Sequence, residues 1–172
     1  MKKLGLIFSL FLFAIITNAQ DKRPLPSIEV QTLDGRKFNI SQLSNNGKPI
    51  YISFWALWCT NCVKELNAIN EVYADWQKET GLKLVAISID DERNKPKVAP
   101  YVNGKGWEFD VYLDPNSDLK RALNVNTIPH SFLLDGNGQI VWQHNGYSAG
   151  DENELYELIK KLNAGESISE KK

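Results

Sequence analysis

Cysteine is scarce in this chain of 172 residues: there are two, Cys59 and Cys62, with only Thr60 and Asn61 between them. An exported protein stapled by disulfides would carry several pairs spread along its length, so that class is excluded. A lone loop of this size removes little entropy from the denatured chain. The pair suits reactivity better than stability. A closed zinc site takes four ligands, and there is no second CxxC; His130 and His144 are the only histidines. An excess of positive charge is missing too, with 20 basic against 21 acidic residues. Nothing in that balance suggests nucleic acid or an anionic membrane surface as partner. Internal repeats and interdomain linkers are absent.

An apolar run long enough to span a bilayer is also lacking. The longest, Leu4 to Ile16, falls short of the roughly 20 residues a spanning helix needs. With Lys2 and Lys3 ahead of it and Thr17-Asn18-Ala19 behind, it reads as an export signal over residues 1–19, cleaved before Gln20. No cysteine follows it to accept a lipid. An uncleaved anchor is the alternative. Removal leaves 153 residues with 18 basic and 21 acidic side chains. That is one domain, expected over residues 20–163 and large enough to bury its own core. Residues 164–172 are polar, lack aromatics and are expected to be a disordered tail.

Within the domain, residues 27–30 and 37–40 flank Leu33-Asp34-Gly35-Arg36, the pattern of a hairpin ahead of the main fold. Residues 50–55 are too uniformly apolar and aromatic to have a wet face, which predicts a buried strand. After Cys59, Val63, Leu66, Ile69, Tyr73 and Trp76 recur at helical steps toward a stop at Gly81. Residues 82–89 predict a second buried strand, completing a right-handed β-α-β unit. A weak helix is expected at 94–102, a strand at 111–113 and a short helix at 117–123. Strands at 131–134 and 139–143 flank a tight Asn-Gly turn. A last helix, capped by Asp151, carries Leu155, Leu158, Ile159 and Leu162 on one stripe. The order requires a sheet that begins parallel and closes with antiparallel strands.

The cysteines fall where a buried strand hands over to a helix. Helix N-termini present unpaired N–H groups and a partial positive charge, both of which favour a thiolate. A free cysteine titrates near about 8.5, and such a position lowers that value. Cys59 is therefore expected to be the exposed nucleophile. Cys62, one turn on and beside Val63 and Leu66, is expected to be the buried partner that resolves a mixed disulfide.

The segment Ser53-Phe54-Trp55-Ala56-Leu57-Trp58-Cys59-Thr60-Asn61-Cys62 resembles the active-site segment of the thioredoxin superfamily, most closely its exported TlpA/ResA-like reductases. The leading hairpin and Thr127-Ile128-Pro129 before the last hairpin fit that family as well. The resemblance, covering about Pro24 to Leu162, implies an α/β fold: a thioredoxin-like mixed sheet flanked by helices, with an N-terminal β-hairpin extension. It implies a cis Ile128-Pro129 peptide that helps bind an extended substrate near the cysteines; from their place beside the core strand, Trp58 is expected as a wall of the site and Trp55 in the core. It also implies disulfide-containing exported proteins as substrates, apocytochromes among them. A membrane or periplasmic electron donor would supply the chain, a monomer working without a bound cofactor or metal in the periplasm of a Gram-negative bacterium.

Departures sharpen the expectation. Thioredoxin carries a buried Asp six residues before its first cysteine, and that position here is Ser53. The family's acid after the second strand aligns with Asp91, and its Glu three residues past the second cysteine with Glu65. Either could accept a proton from Cys62 or tune the pair. The family's proline two residues beyond that Glu is Asn67. Thr60-Asn61 lacks the His of strongly oxidising relatives, which points toward a reductant or a pair of middling potential. A thiol peroxidase of the same fold would need Pro and Thr where Ile52 and Ala56 stand. The main alternative is a Cu(I) chaperone in which Cys59, Cys62 and His130 converge as ligands.

Overall fold

The computed structural model of the chain describes residues 23–166 and residue 168. The expected signal segment, its cleavage point before Gln20, and residues 167 and 169–172 of the tail lie outside them. In chain order the elements are β1 (Arg23–Pro24), β2 (Glu29–Thr32), β3 (Lys37–Asn39), β4 (Ile50–Trp55), α1 (Thr60–Thr80) and β5 (Lys83–Ser88). Then come α2 (Val98–Lys105), β6 (Asp110–Leu113), α3 (Asp118–Ala122), β7 (His130–Leu134), β8 (Gln139–Asn145) and α4 (Asp151–Asn163).

All strands join one sheet in the order β1-β8-β7-β4-β5-β6-β2-β3. The uniformly apolar β4 lies at its centre, every residue buried, with β5 parallel on one side and β7 antiparallel on the other. A strand with helices over both faces has no wet side, which is why alternation is missing there. β4, β5 and β6 are parallel, and β7 and β8 add the antiparallel close that the element order required. The β2–β3 hairpin extends the same sheet by pairing β2 with β6.

β1 pairs with β8 at the opposite edge, so residues 25–28 cross one face of the sheet, burying Leu25 against it. Two strand residues give no periodicity to read, and the sequence offered no sign of β1.

α1 buries Cys62, Glu65, Leu66, Ile69, Tyr73 and Trp76 at three- and four-residue steps, and Gly81 ends it with φ 71°. Only a residue without a Cβ takes that left-handed cap at no cost. The weak helix begins as a 3₁₀ turn at Lys95–Lys97 and becomes α2. Pro100 falls in its first turn, where a missing N–H leaves no bond unmade. Asp151 is not the cap of α4. Gly150 holds that position with φ 103°, and the Asp151 carboxylate instead accepts the Ser148 N–H at 2.7 Å.

Two apolar clusters result. One lies under α1, α2 and α4 and includes both cysteines; the other packs the opposite face against α3 and the crossing segment. The expected tail is not wholly loose: Ile168 is buried in the first cluster. One apolar residue among polar neighbours is enough to dock a chain end that composition alone reads as solvated.

Candidate active site at the start of α1

β4 delivers the chain to residues 56–58, and α1 begins immediately after. Cys59 occupies the N-cap in extended conformation (φ −89°, ψ 92°), and its Sγ accepts the Cys62 N–H at 3.2 Å. A sulfur at that point faces the N–H groups the helix cannot pair internally, so negative charge on it is stabilised. Cys59 and Cys62 form a disulfide, with Cα atoms 5.3 Å apart. Cys62 is wholly buried and Cys59 is 7% exposed. The expected order of exposure holds, although Cys59 is more enclosed than its position at a helix start suggests.

The segment before Cys59 is pinned by an acid. Asp90, 2% exposed, accepts the Leu57 N–H and the Ser88 hydroxyl on one carboxylate oxygen, each at 2.9 Å. The Cys59 N–H in turn donates to Ala56 O at 3.0 Å. Asp91, which the family resemblance aligned with this role, is exposed and accepts the Asn94 backbone and side-chain N–H groups at 3.0 and 3.1 Å. It caps a turn. The correction follows from side-chain alternation: continuing the period of β5 past Ser88 puts Asp90, not Asp91, on the inward side.

Glu65 is 3% exposed and surrounded by hydroxyls. Tyr51 donates to Oε1 at 2.7 Å, Ser131 to Oε1 at 3.0 Å and Ser53 to Oε2 at 2.9 Å. Burial pushes its carboxyl above the usual range, and the three hydroxyls pull part of the way back. Ser53 is the position where thioredoxin has its buried Asp. Here the strand supplies only a hydroxyl, and the acid reaches that point from the helix. Asn67 causes no departure from helix and accepts the Trp107 indole N–H at 3.0 Å.

Trp58 is 67% exposed, the single large apolar side chain so exposed among the described residues. Trp55 is wholly buried, packing edge-on to Trp107 and near Tyr101. The Ile128-Pro129 peptide is cis. Ile128 packs against the cluster that holds both cysteines, Pro129 is buried, and Pro129 O accepts the Gly146 N–H at 2.8 Å.

His130 does not join the cysteines. Ser131 points toward Glu65 under α1, so its neighbour in the strand points to the other face. There the His130 ring stacks on Phe132 at 4.6 Å, and burial holds it below the usual histidine range. The three copper ligands of the alternative reading are therefore not brought together. No group of three or more His, Cys, Asp or Glu side chains that could hold a metal occurs among the described residues.

A mixed sheet with a cysteine pair at the first turn of its long helix and a cis-proline ahead of the antiparallel close defines a thioredoxin-like thiol–disulfide oxidoreductase. Comparison with known proteins agrees. Residues 22–143 match the AhpC/TSA family, and the chain belongs to that family. It is 30% identical over 178 aligned positions to the thiol-disulfide oxidoreductase ResA of Bacillus thuringiensis (strain Al Hakam), covering 94% of this chain and 99% of that one. It is 31% identical to the thiol:disulfide interchange protein DsbE of Yersinia pestis, covering 83% and 74%. The solution structure of a thioredoxin-like protein from Porphyromonas gingivalis superposes with a TM-score of 0.74 at 48% identity, over 81% of this chain and 92% of that one.

Asp90, Tyr51 and Ser131 escaped sequence reasoning. A signal for two of the relevant positions existed: Ser53 and Ser131 are hydroxyls inside otherwise apolar strands, and a buried hydroxyl needs a partner.

Proposed function

We propose that the chain reduces disulfides in exported proteins, with Cys59 as nucleophile and Cys62 as resolving thiol. The observation that carries this reading is the Cys59 sulfur on the Cys62 N–H at the helix start, with Cys62 fully buried behind it. In the reduced protein the Cys59 thiolate attacks a substrate disulfide and expels one sulfur as thiolate. Glu65, one turn beyond Cys62, takes the Cys62 proton. Cys62 then attacks Cys59, the S–S bond reforms, and the second substrate sulfur leaves with its electron pair. Trp58 and the Ile128-Pro129 loop bind the extended substrate. A donor at the membrane or in the periplasm returns two electrons.

The resemblance to TlpA/ResA-like reductases supports apocytochromes before haem attachment as substrates. The export signal at residues 1–19 supports a periplasmic protein of a Gram-negative cell, released by cleavage near Ala19. A monomer suffices, since both thiols and the acid come from one chain. No role is assigned to Asp91.

Equilibration of the pair against glutathione tests the direction. A potential near about −270 mV, as for thioredoxin, is expected; one near about −120 mV would make the chain an oxidant and overturn the reading. Cys59→Ser is expected to abolish turnover, and Cys62→Ser to accumulate mixed disulfides with partner proteins.

A further inference from the structure

Glu65 gains a proton as the disulfide forms, and re-reduction needs one back on Cys62; buried under α1, the acid must either hold that proton between the two steps or exchange it with solvent. The strand register shows where that proton can go. Ser53 on β4 lies opposite Ser131 on β7, and Ser131 lies opposite His144 on β8. Directly opposed residues share a face, so these three form a polar row across the sheet beneath α1. Its inner end touches Glu65 through both serine hydroxyls. Its outer end is His144, 45% exposed, with Nε2 3.7 Å from the Asp151 carboxylate at the start of α4.

Beside the row lies a cavity of about 20 Å³, lined by Glu65, Tyr51, His144, Tyr147, Asp151 and Glu152 among others. That volume has room for one water molecule, and the lining supplies the polar partners such a water needs. His144 and Asp151 also line a larger open cavity of about 520 Å³ on the outer side. A small chamber against the buried acid thus shares His144 and Asp151 with an open cavity, on the flank formed by β8 and α4.

We propose that this chamber is the proton exit of the redox site, with His144 carrying the proton from Glu65 to solvent and Asp151 holding the imidazole in place. The inference rests on Glu65 as acceptor of the Cys62 proton. As Cys62 closes the disulfide, its proton moves to a Glu65 oxygen, and the electron pair of the broken bond leaves with the substrate sulfur. The neutral acid hands that proton across the chamber to an imidazole nitrogen, the other nitrogen releases one to buffer, and Glu65 is again anionic; the same route run in reverse returns a proton to Cys62 when the donor re-reduces the pair. His144 is a positioning and relay group that touches neither sulfur.

The titratable groups facing Glu65 are Tyr51 from β4, His144 from β8, Tyr147 from the loop after β8, and Asp151 and Glu152 from α4, with Cys62 one turn earlier on α1. Tyr147 donates to Glu152 at 2.8 Å, while the His144 imidazole has two ring nitrogens, one to take up a proton and one to release it.

The test is turnover of a disulfide substrate by the full-length protein and its variants in dilute buffer, with and without added imidazole. His144→Ala is expected to lose about tenfold in rate, below the usual range for a direct general acid or base, and to regain it with imidazole. Asp151→Asn is expected to lose about two- to threefold in the same assay, with the same rescue. Full rate in dilute buffer for His144→Ala, or a loss that imidazole leaves unchanged, overturns the route. Glu65→Gln separates the two claims. It is expected to be slow in either buffer, and a wild-type pH profile in that variant would remove the acceptor itself rather than its exit.

Discussion

The two faces of the central sheet are built from the same strands yet have different contents. Under α1 and α4 lie the cysteine pair, the carboxyl of Glu65, the hydroxyls of Tyr51, Ser53 and Ser131, and His144 at the rim. On the opposite face Ile52, Phe54, Val85, Ile87, Phe132 and Leu134 form an apolar layer against α3 and the crossing segment. One strand serves both, since Ser131 binds the acid while Phe132 beside it packs with Phe54. The contrast teaches a division of labour. The apolar face supplies packing energy from its strand interiors, with its buried polar groups kept to strand ends: His130 stacked on Phe132, and Asp114 accepting backbone N–H groups at the start of α3. The other face carries a costly buried acid that is tolerated only because three hydroxyls satisfy it.

Removing packing from the apolar face should give the largest effect on stability. Phe132→Ala is expected to cost about 3–5 kcal/mol in denaturant unfolding, with the redox potential of the pair unmoved. A shift of potential in step with stability would show that the faces are not independent. Asp90→Ala comes next. It removes the acceptor of the partly buried Leu57 N–H and of the Ser88 hydroxyl, at a cost of about 1–3 kcal/mol, and loosens the segment that leads to Cys59. Alkylation of reduced Cys59 should change in that variant, and an unchanged rate would reduce Asp90 to a structural bond.

Glu65→Gln should alter the shape of the stability curve more than its height. The folded carboxyl is raised above its unfolded value, so between the two the native state holds a proton that the unfolded chain has lost. Wild-type stability should therefore fall as pH rises from the ordinary carboxylate value through the raised one, then level off. The variant should lose the Glu65 share of that slope and keep the share of Asp114, whose carboxyl burial also raises, as read by denaturant midpoints across pH. Asp91→Asn is the smallest change. Its acid faces solvent, so the titration of the reduced thiols should not move, and any loss should stay within about 1 kcal/mol.

The outcome for the neighbouring acids shows how far the chain could be read. The run Asp90-Asp91-Glu92 looks like a solvated face, and for Asp91 that is correct. Asp90 is different because β5 carries its alternation past its last paired residue and turns one carboxylate inward. The family resemblance placed an acid there but missed the residue by one. Glu65 was legible only through that resemblance, since one acid on an amphipathic helix gives no periodic signal of its own burial.

Local chemistry determined the kind and approximate place of most elements, and the cysteine pair at a helix start, because periodicity, glycine stops and helix-end polarity act over a few residues. Tertiary structure decided which acid meets Ser53, which face takes His130, where β1 pairs and where Ile168 docks. Each of those depends on the register between strands far apart in the chain, and register is settled only when the whole sheet closes around its core.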